Sequence, residues 1–107
     1  MKKNTKKQKC RCKKCVAFRK KYAFEFLDIY GLYHTISEFM VPRLKAFKEH
    51  TFSMPCDLKS IQQWHKILDK MILAFDIYAK DNRKKEDIPK VEEGMKLFVE
   101  YFGDLWI

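Results

Sequence analysis

Apolar residues recur along this chain at helical spacing, in three separate stretches. The clearest is the middle one: Ile61, Trp64, Leu68, Met71, Phe75 and Tyr78 follow one another at steps of three or four residues. That repeat marks one face of an α-helix. Ile67 and Ile72 widen the stripe. Asp57 or Ser60 is placed to cap its start, because a side-chain oxygen there can accept from free backbone N–H groups. The polar run at 81–85 ends it. A second stripe, Val91, Met95, Phe98, Phe102 and Leu105, predicts a last helix. Asp87 stands at its N-cap, and Pro89 in its first turn, where a missing N–H costs little. Glu92 and Glu93 suit the positive end of the helix dipole. Gly94 weakens the helix by about 1 kcal/mol relative to Ala and so points to the close approach of a neighbour.

The earliest stripe runs from about Phe24 to Glu49 through Phe26, Ile29, Tyr33, Ile36, Met40, Leu44 and Phe47. Pro42 lies inside it. Its ring removes a backbone donor and crowds the preceding turn, which predicts a kink or break near residues 39–41. The segment 50–56, with Ser53, Met54 and Pro55, reads as a loop. Three amphipathic helices with short connections predict an all-α fold, a small up-down bundle of three main helices with the first kinked or broken near Pro42. Composition agrees. Three Gly and three Pro in 107 residues are too few for a turn-rich β fold, and nine Phe, five Tyr and two Trp supply large rings for a small core.

Charge changes the picture at one end. Eleven of the first 21 residues are Lys or Arg and none is acidic, whereas the other 86 carry 12 basic and 14 acidic residues. The formal +9 therefore belongs to a basic arm. The sequence divides into residues 1–22, an arm expected to be disordered when free because it has little to bury, and residues 23–107, the helical domain. A block of like charge seeks an anionic partner. Nucleic acid, or a host nucleic-acid-binding protein or ribonucleoprotein, is the expected one. Lys2, Lys3, Lys6, Lys7, Lys9, Arg11, Lys13, Lys14, Arg19, Lys20 and Lys21 would contact phosphates. Phe18 and Tyr22, beside Arg19, Lys20 and Lys21, could stack a base. The competing reading is a solubilising tail. A membrane partner is not expected: the arm has no apolar face, and no stretch reaches the length of a bilayer span. No apolar core follows the basic start as a signal peptide requires, so the expected location is the cytoplasm.

Cys10, Cys12 and Cys15 form C-x-C-x2-C, with Cys56 as a fourth thiol. In a reducing compartment such cysteines are free thiols or metal ligands. No cofactor is required by the helical body, and zinc is the one candidate, at Cys10, Cys12, Cys15 and Cys56, with His34, His50 and His65 as further ligands to consider. Neighbouring Lys and Arg favour the thiolates. The plain alternative is a basic tail that holds reduced cysteines. His65 and Asp69, four apart, could form an acid–base pair. No nucleophile or glycine-rich loop joins them, so no enzymatic activity is expected. Tyr30, Tyr33, Phe39, Tyr78, Tyr101 and Trp106 exceed the needs of one small core. They read either as a half-buried rim or as a protein-binding face, including one for a homodimer.

From about residue 26 onward the chain resembles a family of small uncharacterised helical proteins of phages and prophages. The resemblance lies in FLDIYGLYHTISEFMV, PRLKAFKEH at 42–50, WHKILDKMILAFD at 64–76 and EEGMKLFVEYFGDLW at 92–106. These are mostly helix-face residues, so the resemblance implies a shared fold. It further implies an accessory gene of a mobile element acting in a bacterial host cell, and brings no catalytic residue or cofactor. The Cys-containing basic arm departs from that family's pattern. The expected function is non-enzymatic binding of nucleic acid or a ribonucleoprotein. The alternative is inhibition of a host defence nuclease, in the manner of an anti-CRISPR protein, through the arm and the aromatic helical surface.

Overall fold

The computed structural model describes residues 10–81 and 83–107. Every regular element among them is helical and none is a strand, so the all-α expectation holds. The helices are α1 (Lys13–Tyr22), α2 (Leu27–Tyr30), α3 (Leu32–His50), α4 (Ile61–Lys80) and α5 (Ile88–Glu100), with single 3-10 turns at Lys85–Asp87 and Phe102–Asp104. Two compact units emerge: the first ends at Leu32, and the second is Tyr33–Ile107. The sequence had placed the division ten residues earlier, after residue 22. It also left 1–22 without structure, whereas Lys13–Tyr22 is a helix here.

In the second unit α4 supplies the centre. Trp64, Leu68, Met71 and Phe75 of the predicted stripe are buried, and Ala74 and Ile77 join them. Ser60 is the N-cap, its hydroxyl accepting from the Gln63 N–H at 3.2 Å. Asp57, the other candidate, instead accepts from the Tyr101 hydroxyl at 3.0 Å. That bond and burial both raise the Tyr101 pKa, burial being the larger cause. α4 ends at Asp81, which adopts the left-handed region at φ 55°. Asp tolerates that conformation better than most residues.

α3 meets α4 at two places. Near the start of α3, the Tyr33 hydroxyl donates to Asp81 beyond the end of α4 at 2.6 Å. At the opposite end Phe47 meets Trp64 edge-on, and the Lys48 ammonium reaches Asp69 at 2.7 Å. Between α4 and α5, Tyr101 packs on Trp64, and Lys70 pairs with Glu93. Gly94 lets their backbones touch. A Cβ built there would lie 2.5 Å from Ala74 Cβ and closer still to the Lys70 carbonyl oxygen.

Of the kink or break expected near Pro42, no break occurs. α3 passes through Pro42 without interruption. The Pro42 ring is exposed, on the side where carbonyls can tilt out to water. One carbonyl of that turn, that of Phe39, accepts from the Arg43 guanidinium at 3.0 Å, and the same group covers the Phe39 ring at 3.7 Å. The interruption comes instead at Gly31, between α2 and α3. At the start of α5, Asp87 occupies the N-cap position without capping by its side chain, which turns back to the Lys84 N–H. Pro89 lies in the first turn as expected.

Candidate nucleic-acid interface and thiol cluster

α1 is a polar helix, KKCVAFRKKY, and buries none of its residues. Its caps hold it. At the front, Cys12 is extended and its sulfur accepts from the Cys15 N–H at 3.4 Å. At the back, Ala23 turns into the left-handed region at φ 65° and its N–H closes on the Arg19 carbonyl at 2.8 Å. Arg19 then ties both flanks together. Its guanidinium donates to Glu25 at 2.9 Å and to the Cys10 carbonyl at 2.6 Å. Glu25 in turn has its own N–H on the Asp28 carboxylate.

The backbone turn at Ala23 also folds the next aromatic residues back over α1. Phe18 is ringed by Tyr22 at 4.6 Å, Phe26 at 5.6 Å and Phe24 at 5.7 Å, and Tyr30 extends the row from Phe26. Phe18 is half-buried; the other four rings are exposed. Lys21 places its ammonium 5.1 Å from the Tyr22 ring centroid. Lys14 shares a face with Phe18 and Tyr22 by its four-residue spacing.

The sulfurs of Cys10, Cys12 and Cys15 lie within 4.8 Å of one another. Cys10 donates to Cys12 at a sulfur–sulfur distance of 3.4 Å. Zn–S bonds of about 2.3 Å in a tetrahedron put sulfurs about 3.8 Å apart, so small shifts would bring the three onto one ion. The Cys15 backbone N–H, the Cys15 thiol and the Cys10 thiol all point at Cys12 and lower its pKa to about 7. Cys15, donating toward that sulfur, is pushed up to about 12. The Cys12 sulfur also stands at the N-cap of α1, where the helix dipole favours a thiolate.

No protein-family model, curated protein or solved structure matches this chain.

Of the predicted phosphate contacts, Lys2, Lys3, Lys6, Lys7 and Lys9 lie outside the described residues. Arg11, Lys13, Lys14, Lys20 and Lys21 are exposed in the first unit, whereas Arg19 is already engaged by Glu25 and Cys10. Cys56 is exposed in the loop between α3 and α4 of the second unit and does not belong to the sulfur trio. The histidines lie in the second unit too. His34 sits beside Glu38, and His50 Nδ1 faces the Ala46 carbonyl at 2.8 Å. His65 and Asp69 line one hollow of about 410 Å³ with Lys45, Lys48, Glu49 and Ile72, but Asp69 pairs with Lys48, and His65 Nε2 is buried without a partner.

The aromatic surplus divides. Tyr101 is core and Tyr78 half-buried, while Tyr30, Tyr33, Phe39 and Trp106 are exposed. The sequence reading missed Phe24 and Phe26 as companions of Phe18. The spacing 18, 22, 24, 26 held the signal, but only with a tight turn placed after 22. Among the described residues no helix is long and apolar enough to cross a membrane.

Proposed function

We propose that the protein is a non-enzymatic nucleic-acid-binding module whose first unit makes the contact. The observation that carries this reading is a helix with no acidic residue, preceded by Arg11, that exposes Lys13, Lys14, Lys20 and Lys21 beside an aromatic cluster. Cations supply sequence-independent affinity through counterion release, and the rings add a surface on which bases can rest. The resemblance of the body to phage and prophage proteins makes this an accessory protein of a mobile element, acting in the cytoplasm of a bacterial host. In the second unit we read α3, α4 and α5 as the up-down three-helix bundle that the stripes predict. The antiparallel contacts of Tyr33 with Asp81 and of Tyr101 with Trp64 support it.

The test is salt-dependent binding. With about five to eight basic side chains engaged, the log–log salt slope on duplex DNA should be about −4.5 to −7. Removing residues 1–21 should abolish the binding and leave the second unit folded, since that unit begins at Tyr33 and its hydrophobic core cluster at Met40. Equal affinities of the shortened and full chains would overturn the reading.

Zinc is the cofactor that this site suits. Three thiolates from Cys10, Cys12 and Cys15 fit its preference for sulfur, with the fourth position taken by a ligand outside the trio. Binding would fix the segment ahead of α1 and reinforce its N-cap. Purified protein is expected to carry about one equivalent of zinc, and Cys12→Ser to lose it. Metal should shield these three thiols from alkylation while Cys56 continues to react. Metal-free protein with four equally reactive thiols would count against the site.

A second reading, inhibition of a host defence nuclease, draws on the aromatic and aliphatic side chains that α3 leaves half exposed, Tyr33, Ile36 and Phe39 among them. An inhibitor would keep its protein partner after the arm is removed.

A further inference from the structure

We propose that the exposed rings of the first unit, Tyr22, Phe24 and Phe26 around Phe18, form a base-stacking platform, and that the nucleic acid it takes is single-stranded. The inference rests on the nucleic-acid reading above and narrows it to one substrate class.

Three features point this way. First, the rings are gathered yet uncovered. Tyr22, Phe24 and Phe26 are between 43% and 47% exposed, and Tyr30 is 79% exposed. Their planes meet tilted or edge-on, from 32° to 89°, so no ring has its face covered by a parallel neighbour. A flat group can still be received.

Second, the surroundings select an anion. Lys14 and Lys21 lie on the α1 face that carries Phe18 and Tyr22, and Lys20 and Lys13 are exposed on the same helix. The two acidic side chains of this unit are turned to internal partners: Glu25 takes the Arg19 guanidinium, and Asp28 takes the Glu25 N–H. An apolar protein helix would find the rings but waste the cations. A base with its phosphate satisfies both.

Third, the rings distinguish single strands from duplex. In a duplex each base face is already stacked on its neighbours, leaving only edges and phosphates to touch. A single strand offers faces, and aromatic side chains that stack on them add affinity with little sequence preference. Phe18, half-buried and in contact with three rings, is a positioning residue that holds the others. Arg19 has the same role through its bonds to Glu25 and Cys10, and is not expected to bind phosphate.

The experiment uses the full chain and two fluorescein-labelled probes of about 12 units each, oligo-dT and a mixed-sequence duplex, at one salt concentration. Oligo-dT is expected to bind more tightly. Tyr22→Leu with Phe24→Leu keeps apolar bulk but removes two ring faces. It should weaken oligo-dT binding by about tenfold or more, since each stacked ring contributes at least about fivefold, and leave duplex binding within about twofold. Tyr22→Trp should retain affinity and show indole emission quenched by oligo-dT but not by duplex. Lys20→Ala should weaken both probes alike.

Equal binding of the two probes, or equal losses in the double Leu variant, would overturn the single-strand platform while leaving phosphate binding intact. Absence of salt-dependent binding to either probe would remove the nucleic-acid reading and the platform together. A full-length dimer that the double Leu variant dissociates in sedimentation would assign the rings to a second copy of this chain instead.

Discussion

Trp64→Ala is expected to lower the unfolding free energy by about 3–5 kcal/mol, out of about 5–10 kcal/mol for a domain of this size. Trp64 is 1% exposed and joins all three long helices. From α4 it meets Phe47 of α3 at 6.4 Å and Tyr101, just past α5, at 5.6 Å. Truncation would leave a cavity between these elements, and Tyr101 is held from collapsing into it by the bond of its hydroxyl to Asp57. Urea unfolding followed by helical circular dichroism reads the loss as a drop in midpoint at constant slope. Trp64→Phe should lose much less. An unchanged midpoint for the Ala variant would place the core on another face of α4.

Gly94→Ala is expected to destabilise the protein by about 2–3 kcal/mol, against the sign that helix propensity gives. Inside an isolated helix the same change is favourable by about 1 kcal/mol. Here the new methyl group would meet Ala74 Cβ at 2.5 Å and crowd the Lys70 carbonyl. Neither can step aside as a long side chain does, since one is a methyl fixed to the backbone and the other is the backbone itself. α5 would have to lift off α4 and loosen the contacts of Val91 and Tyr101. Opposite shifts of the urea midpoint separate the two arguments: a rise means the helices part freely, and a fall means the contact is tight.

The stripe of α4 was legible almost residue for residue because neighbours cover it from two sides, so periodicity and burial coincide. In α3 they separate. Periodicity put Tyr33 and Ile36 on the same face as Leu44, and they do share it, yet only Leu44 is buried. A repeat tells which residues point together and not how far the opposing helix extends. Pro42 and Gly31 show a related difficulty. The proline was read as a kink or an interruption, but the helix runs on through it with the ring exposed, and the chain parts at the glycine instead. α1 left no stripe at all. It is held by a cysteine at one end and a left-handed alanine at the other, neither of which is a usual cap residue. The sulfur trio was readable because its members are adjacent in sequence. The ring cluster was not, because it depends on the turn at Ala23.

The closeness at Gly94 also governs how this protein can drift. Positions 94 and 74 are a matched pair of small residues, and growth at either has to be answered by displacement of a whole helix. Position 70 is different. What it contributes to the close approach is its carbonyl oxygen, which every amino acid carries, and its ammonium adds only a half-exposed pair with Glu93, of the kind that contributes little. Among descendants of this chain, two small residues twenty apart should persist while the lysine four before the first of them turns over.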